Sequence, residues 1–123
     1  MGFQDDYIMR QIELMSRFIA KFMFNSESIS YEIENPLQLT QTDIMYNKIK
    51  LLISEKNFCE AENLLYENLD PTDKTQLALA VDFYNTLSRF SDDELEENNF
   101  SKEEIADGMR MIMKKFGIQN LPL

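Results

Sequence analysis

Histidine and tryptophan are missing from this 123-residue sequence, and cysteine occurs once. Without histidine there is no Ser-His or Cys-His nucleophile pair, no histidine-bearing zinc site and no ordinary proton shuttle for neutral pH. The lone Cys59 forbids an internal disulfide, which points to a reducing cytoplasm. Glycine and proline number three each, too few for a repetitive or loop-rich chain. Gly2, Gly108 and Gly117 stand apart, so no glycine-rich phosphate loop is formed. Basic residues are scarce as well: 12 Lys and Arg against 22 Asp and Glu leave a net charge of −10, which repels a phosphate backbone and argues against nucleic acid as a partner. No apolar run approaches the roughly 20 residues that cross a bilayer. The start lacks the segments of a signal peptide, and Asp6 stands where a myristoylation motif wants Ser or Thr. The expectation is a cytoplasmic protein without a membrane anchor.

What is present is a 44% hydrophobic complement spaced with helical period. Over Asp5 to Phe24, the residues Ile8, Ile12, Met15, Ile19 and Phe22 recur at helical spacing, with Asp5 and Asp6 near the start and Lys21 near the end as a helix dipole favours. From Asn25 to Thr40 the period collapses; Ile29, Tyr31 and Ile33 alternate with polar residues, which predicts an extended linker draped over the core. A second helix is expected from a Thr42-Asp43 cap to Lys56-Asn57, carrying Ile44, Met45, Ile49, Leu52 and Ile53. A third follows at once on Phe58, Ala61, Leu64, Leu65 and Leu69, so the two must form an antiparallel hairpin.

Asp70-Pro71 reads as the start of a fourth helix whose apolar residues spread over two stripes, Leu77, Ala80, Val81, Tyr84 and Leu87 on one and Leu79, Phe83 and Phe90 on the other. Such a helix needs neighbours on more than one side. Ser91 with Glu94, and Ser101 with Glu104, have capping-box spacing and mark a short fifth helix and a longer sixth. The sixth buries Ile105, Met109, Ile112 and Phe116 and stops at Gly117, with a loosely held tail from Ile118 to Leu123. The expected fold is a single all-α domain over 1–123: an N-terminal amphipathic helix (1–24), a linker (25–40) and a helical-hairpin core (41–117), five to six helices in all.

Asn57-Phe58-Cys59-Glu60-Ala61-Glu62-Asn63-Leu64-Leu65, running to Leu69-Asp70-Pro71, resembles the second helix of a tetratricopeptide repeat. The resemblance covers about a quarter of the chain, places Ala61 at the crowded crossing of the hairpin, and has no second copy at the repeat period. The opening Gln4-Asp5-Asp6-Tyr7-Ile8-Met9-Arg10-Gln11-Ile12-Glu13, with Arg17-Phe18-Ile19-Ala20-Lys21 and the later Leu95 to Ile105, resembles a group of short bacterial proteins of unknown function. That second resemblance spans most of the chain and implies a fold without implying an activity.

Cys59 has no basic neighbour in sequence to lower its thiol pKa and reads as structural. The run Asp92, Asp93, Glu94, Glu96, Glu97, continued by Glu103, Glu104 and Asp107, could hold a hard cation, but its spacing lacks the alternating ligands and turn glycine of a calcium loop and fits helix starts instead. Gly108, inside the sixth helix, reads as a point of close helix approach. Met109, Met111 and Met113 read as core, with Met111 off the main stripe and open to a partner. Residues 1–24 hold three basic and three acidic side chains, so the whole −10 resides beyond them. This first helix can pack in its own domain, pair with a second copy or lie on a membrane, and the acidic body disfavours the last.

These readings point to a non-enzymatic protein–protein interaction module with no cofactor, its partner an unknown protein or, through the first helix, a second copy. The candidate surface is Ile8, Ile12, Met15, Ile19 and Phe22 of the first helix, Leu79 and Phe83 of the fourth and Met111 of the sixth. The alternative is a carboxylate-based metal-binding protein or an enzyme whose pocket the sequence does not display.

Overall fold

The structure is a computed structural model and describes residues 3–118, with side chains from Asp6 onward. Its elements are α1 (Phe3–Phe24), α2 (Gln41–Ser54), α3 (Phe58–Glu67), α4 (Lys74–Leu87), α5 (Asp92–Glu97) and α6 (Lys102–Lys115). Among the described residues there are six helices and no strand, so the fold is all-α. Residues 119–123, the rest of the expected tail, lie outside the described residues.

The two-stripe pattern of the fourth helix has the consequence that burial demands. Leu77, Leu79, Ala80, Val81, Phe83, Tyr84 and Leu87 are each at most 3% exposed, because α4 packs against α1, α2 and α6 at once. α1 lies chiefly along α6, and α2 folds back on α3 through Glu55–Asn57. Buried side chains from every helix and from the linker join one hydrophobic cluster around α4.

Three helix ends share one device. Lys56, Asn99 and Gly117 take left-handed φ values of 59°, 61° and 72°. The following N–H groups then turn back, Asn57 to Leu52 O at 2.8 Å, Phe100 to Leu95 O at 2.9 Å and Ile118 to Met113 O at 2.8 Å. The turn tucks Phe100 and Ile118 into the core. Ile118 is therefore held, which corrects the expectation of a loose tail at that residue.

The starts divide differently. Ser91 and Ser101 cap α5 and α6 as expected, Ser91 with the reciprocal bond from Glu94, whereas at α6 the hydroxyl accepts the Glu104 N–H. α2 is capped two residues earlier than Thr42: Thr40 is the N-cap, and Asp43 is the third helical residue that reaches back to the Thr40 N–H. α4 begins later than Asp70-Pro71. Asp70 turns its carboxylate onto the N–H and hydroxyl of Thr72, which spends the first cap on a turn, and Asp73 then caps the helix through Thr75.

The linker is draped as expected, and its anchor is Tyr31. Its N–H donates to Asp82 Oδ2 of α4 at 2.7 Å, its hydroxyl donates to Asp43 Oδ1 of α2, and its ring lies 4.7 Å from that of Tyr46. Burial first, and then the Asp43 bond, push the Tyr31 hydroxyl up to about 12, while that bond and the Thr40 N–H hold Asp43 below the usual carboxylate range. One strap thereby ties α2 to α4.

Candidate functional site

The sequence-derived surface divides on folding. Ile12, Met15 and Ile19 point inward, and Leu79 and Phe83 sit at most 3% exposed, so these five are core rather than open surface. The correction has a simple cause: α1 packs on α6 and α4, and α4 on α1, α2 and α6, so the strongest apolar stripe is the one that is consumed. Ile8 is half-buried against the core, while Phe22 and Met111 remain exposed on α1 and α6.

A second α1 stripe stays outside, and it includes Phe22, which the sequence had placed with the inward residues. Tyr7, Leu14 and Phe22 are 59%, 46% and 66% exposed, and half-buried Phe18 stacks on Phe22 with ring centroids 5.5 Å apart. At about 100° of rotation per residue these four fall on one side of the helix, displaced from the Ile12–Met15–Ile19 side, with Arg10, Arg17 and Lys21 along one edge. Between Phe18 and Phe22 around the helix, Gln11 accepts from Arg110 Nη2 of α6 at 2.7 Å. The signal was present in the sequence as a recurrence of large apolar residues beside the stronger stripe.

A cleft of about 260 Å³ opens between α2 and α4. Buried Ile49, Leu79 and Phe83 make its floor, so the two α4 candidates take part in a concavity after all. Tyr46, Ile53 and Phe90 form its sides, and Lys50, Lys56, Asp82 and Thr86 its mouth. Lys50 Nζ stands 5.3 Å from the centroid of the Tyr46 ring, and Lys56 Nζ lies 3.0 Å from Glu94 Oε2. Asp82 is engaged by the Tyr31 N–H and, at 3.2 Å, by the Thr86 hydroxyl.

Tyr84, Glu62 and Tyr66 form a hydrogen-bonded chain. Tyr84 donates to Glu62 Oε2 at 2.6 Å and its oxygen lies 3.1 Å from that of Tyr66. Burial raises the Glu62 pKa against the lowering by the Tyr84 bond, and Glu104 adds to the rise; burial, then its two partners, drive Tyr84 far up. A carboxyl raised in the folded state contributes its stability fully below its ordinary value of 4.5 and loses it as pH climbs through the folded value. Glu62→Gln keeps an acceptor for Tyr84 without the charge. Its melting temperature should match the wild type at pH 4 and equal or exceed it at pH 7, as thermal unfolding at the two pH values would show.

Other candidates resolve into structure. Cys59 is exposed, donates to Asn99 O at 3.3 Å, and has its thiol pKa raised by burial and by Glu104 and Glu62, the opposite of an activated nucleophile. Asp92 and Glu94 serve the α5 start and the ion pairs to Lys102 and Lys56. Among the described residues no group of three or more Cys, Asp or Glu converges where a metal ion could be held, and no helix is long and apolar enough to cross a membrane. Gly108 sits where a Cβ would fall 2.5 Å from Cε1 of the Tyr84 ring and still closer to its Cζ and hydroxyl, which bears out the close approach of α4 and α6.

No curated protein and no solved structure matches this chain. Likeness to a sequence family runs through the six helices described, the strap and the cleft. Residues 2–117 match the family of unknown function DUF6483, and the chain belongs to that family.

Proposed function

We propose that the chain is a non-enzymatic protein-interaction module that docks a partner on the outer side of α1. The observation that carries this reading is the stripe of Tyr7, Leu14 and Phe22, exposed on a helix whose adjoining side is locked into the core by Ile12, Met15 and Ile19. A helix free to turn would bury those rings. This one cannot, so their burial requires a second molecule. The α2–α3 hairpin with Ala61 fully buried supports a tetratricopeptide-like reading of the scaffold, and a free, exposed thiol suits a reducing cytoplasm.

A second copy of the chain is the first partner to test, by light scattering over a concentration series with the wild type and a Leu14→Glu/Phe22→Glu variant. A dimer that the variant converts to monomer, at unchanged helicity, supports the reading. A heterologous partner would appear instead as a photocross-link from a probe placed at position 14. A protein that stays monomeric and traps nothing from that position in its host overturns it.

A further inference from the structure

We infer that the cleft between α2 and α4 is a binding site for a small apolar carboxylate, an alkyl or aryl chain bearing one anionic head. This inference stands apart from the α1 docking surface. The cavity of about 260 Å³ lies just below the roughly 300–1,000 Å³ of drug-sized pockets, which suits a small ligand. Its floor of Ile49, Leu79 and Phe83 is already withdrawn from water, so a hydrocarbon tail entering it meets apolar side chains without displacing a polar partner.

The charges at the mouth select the head group. In a chain of net charge −10, α2 and the turn after it place two ammonium groups, Lys50 and Lys56, on this one cleft. Lys56 is shared with Glu94 in an exposed ion pair, a contact of small net value that a ligand carboxylate can replace like for like. Lys50 lies over the Tyr46 ring, at the apolar wall, where its ammonium can meet a head group whose tail runs inward. Asp82, the one carboxylate among the residues that line the cleft, has both oxygens engaged, one by the Tyr31 N–H and the other by the Thr86 hydroxyl.

Octanoate, octanol and octylamine carry the same chain with anionic, neutral and cationic heads, and titrating each into the 15N-labelled full chain tests the inference by amide shifts. Octanoate should shift Ile49, Ile53, Leu79, Phe83 and Phe90 saturably and bind more tightly than the other two. Lys50→Glu should weaken octanoate by about tenfold, while Lys48→Glu, the same charge change on the same helix outside the cleft, should leave it unchanged. No saturable shift in the cleft, octylamine or octanol binding as tightly as octanoate, or equal effects of the two lysine variants would each overturn the inference. Both substitutions fall on exposed side chains, so an unaltered spectrum without ligand separates lost binding from lost fold.

Discussion

Gly108→Ala is expected to destabilise the protein by about 3 kcal/mol and lower its melting temperature by about 10 °C, although alanine is the better helix former by about 1 kcal/mol. The sign rests on space. Gly108 lies in the middle of α6, and the added methyl would overlap the ring of Tyr84, which is fully buried on α4. That ring cannot swing aside without breaking its bond to Glu62 and its contact with Tyr66. Helix propensity alone predicts a gain, so thermal unfolding followed by circular dichroism decides between the two effects. Combining Gly108→Ala with Tyr84→Leu should cost clearly less than the sum of the single changes, because the smaller side chain vacates the contested volume.

Lys102→Met should cost about 3 kcal/mol through the loss of charged donors to backbone carbonyls. Lys102 Nζ donates to Ser88 O at 3.1 Å and Phe90 O at 2.9 Å, and it lies 3.8 Å from Asp92 Oδ1 with the side chain only 13% exposed. Methionine preserves the stem and its packing but leaves two carbonyls at the end of α4 without this donor. Lys115→Met, at an exposed position in the last turn of α6, should change stability by about 0.5 kcal/mol or less. Calorimetry on the pair is the check; equal melting temperatures would show that the internal bonds of Lys102 contribute nothing beyond a surface charge.

Much of the fold can be read along the chain because its decisive features are local. Ser91 and Ser101 lie one residue before α5 and α6, and Gly117 lies just beyond the end of α6. The two displaced starts were ambiguous for the same reason: Thr40, Thr42 and Asp43, or Asp70 and Asp73, are all capable caps, and only the folded backbone decides which side chain meets an orphan N–H. The candidate sites were less legible. Apolar period identifies which residues avoid water but not which of two stripes a neighbouring helix will cover. Ile12 and Met15 were consumed by that packing while Tyr7 and Leu14 were left outside. The cleft combines positions 46–56 with 79–90, a juxtaposition set by how α2 lies on α4 and by the Tyr31 strap. Nothing local in the sequence marks Lys50 or Lys56 as lining an apolar floor.

The pairing of α1 with α6 bears on how the chain emerges from the ribosome. Gln11 and Arg110, which meet across this contact, are 99 residues apart in sequence. At roughly 5–20 residues per second, several seconds separate their synthesis. During that interval the inward stripe of Ile12, Met15 and Ile19 lacks the helix it lies chiefly against. The inward stripe of the nascent α1 therefore stays attractive to chaperones until α6 is made, and α1 and α6 should gain protection from hydrogen exchange together during biosynthesis.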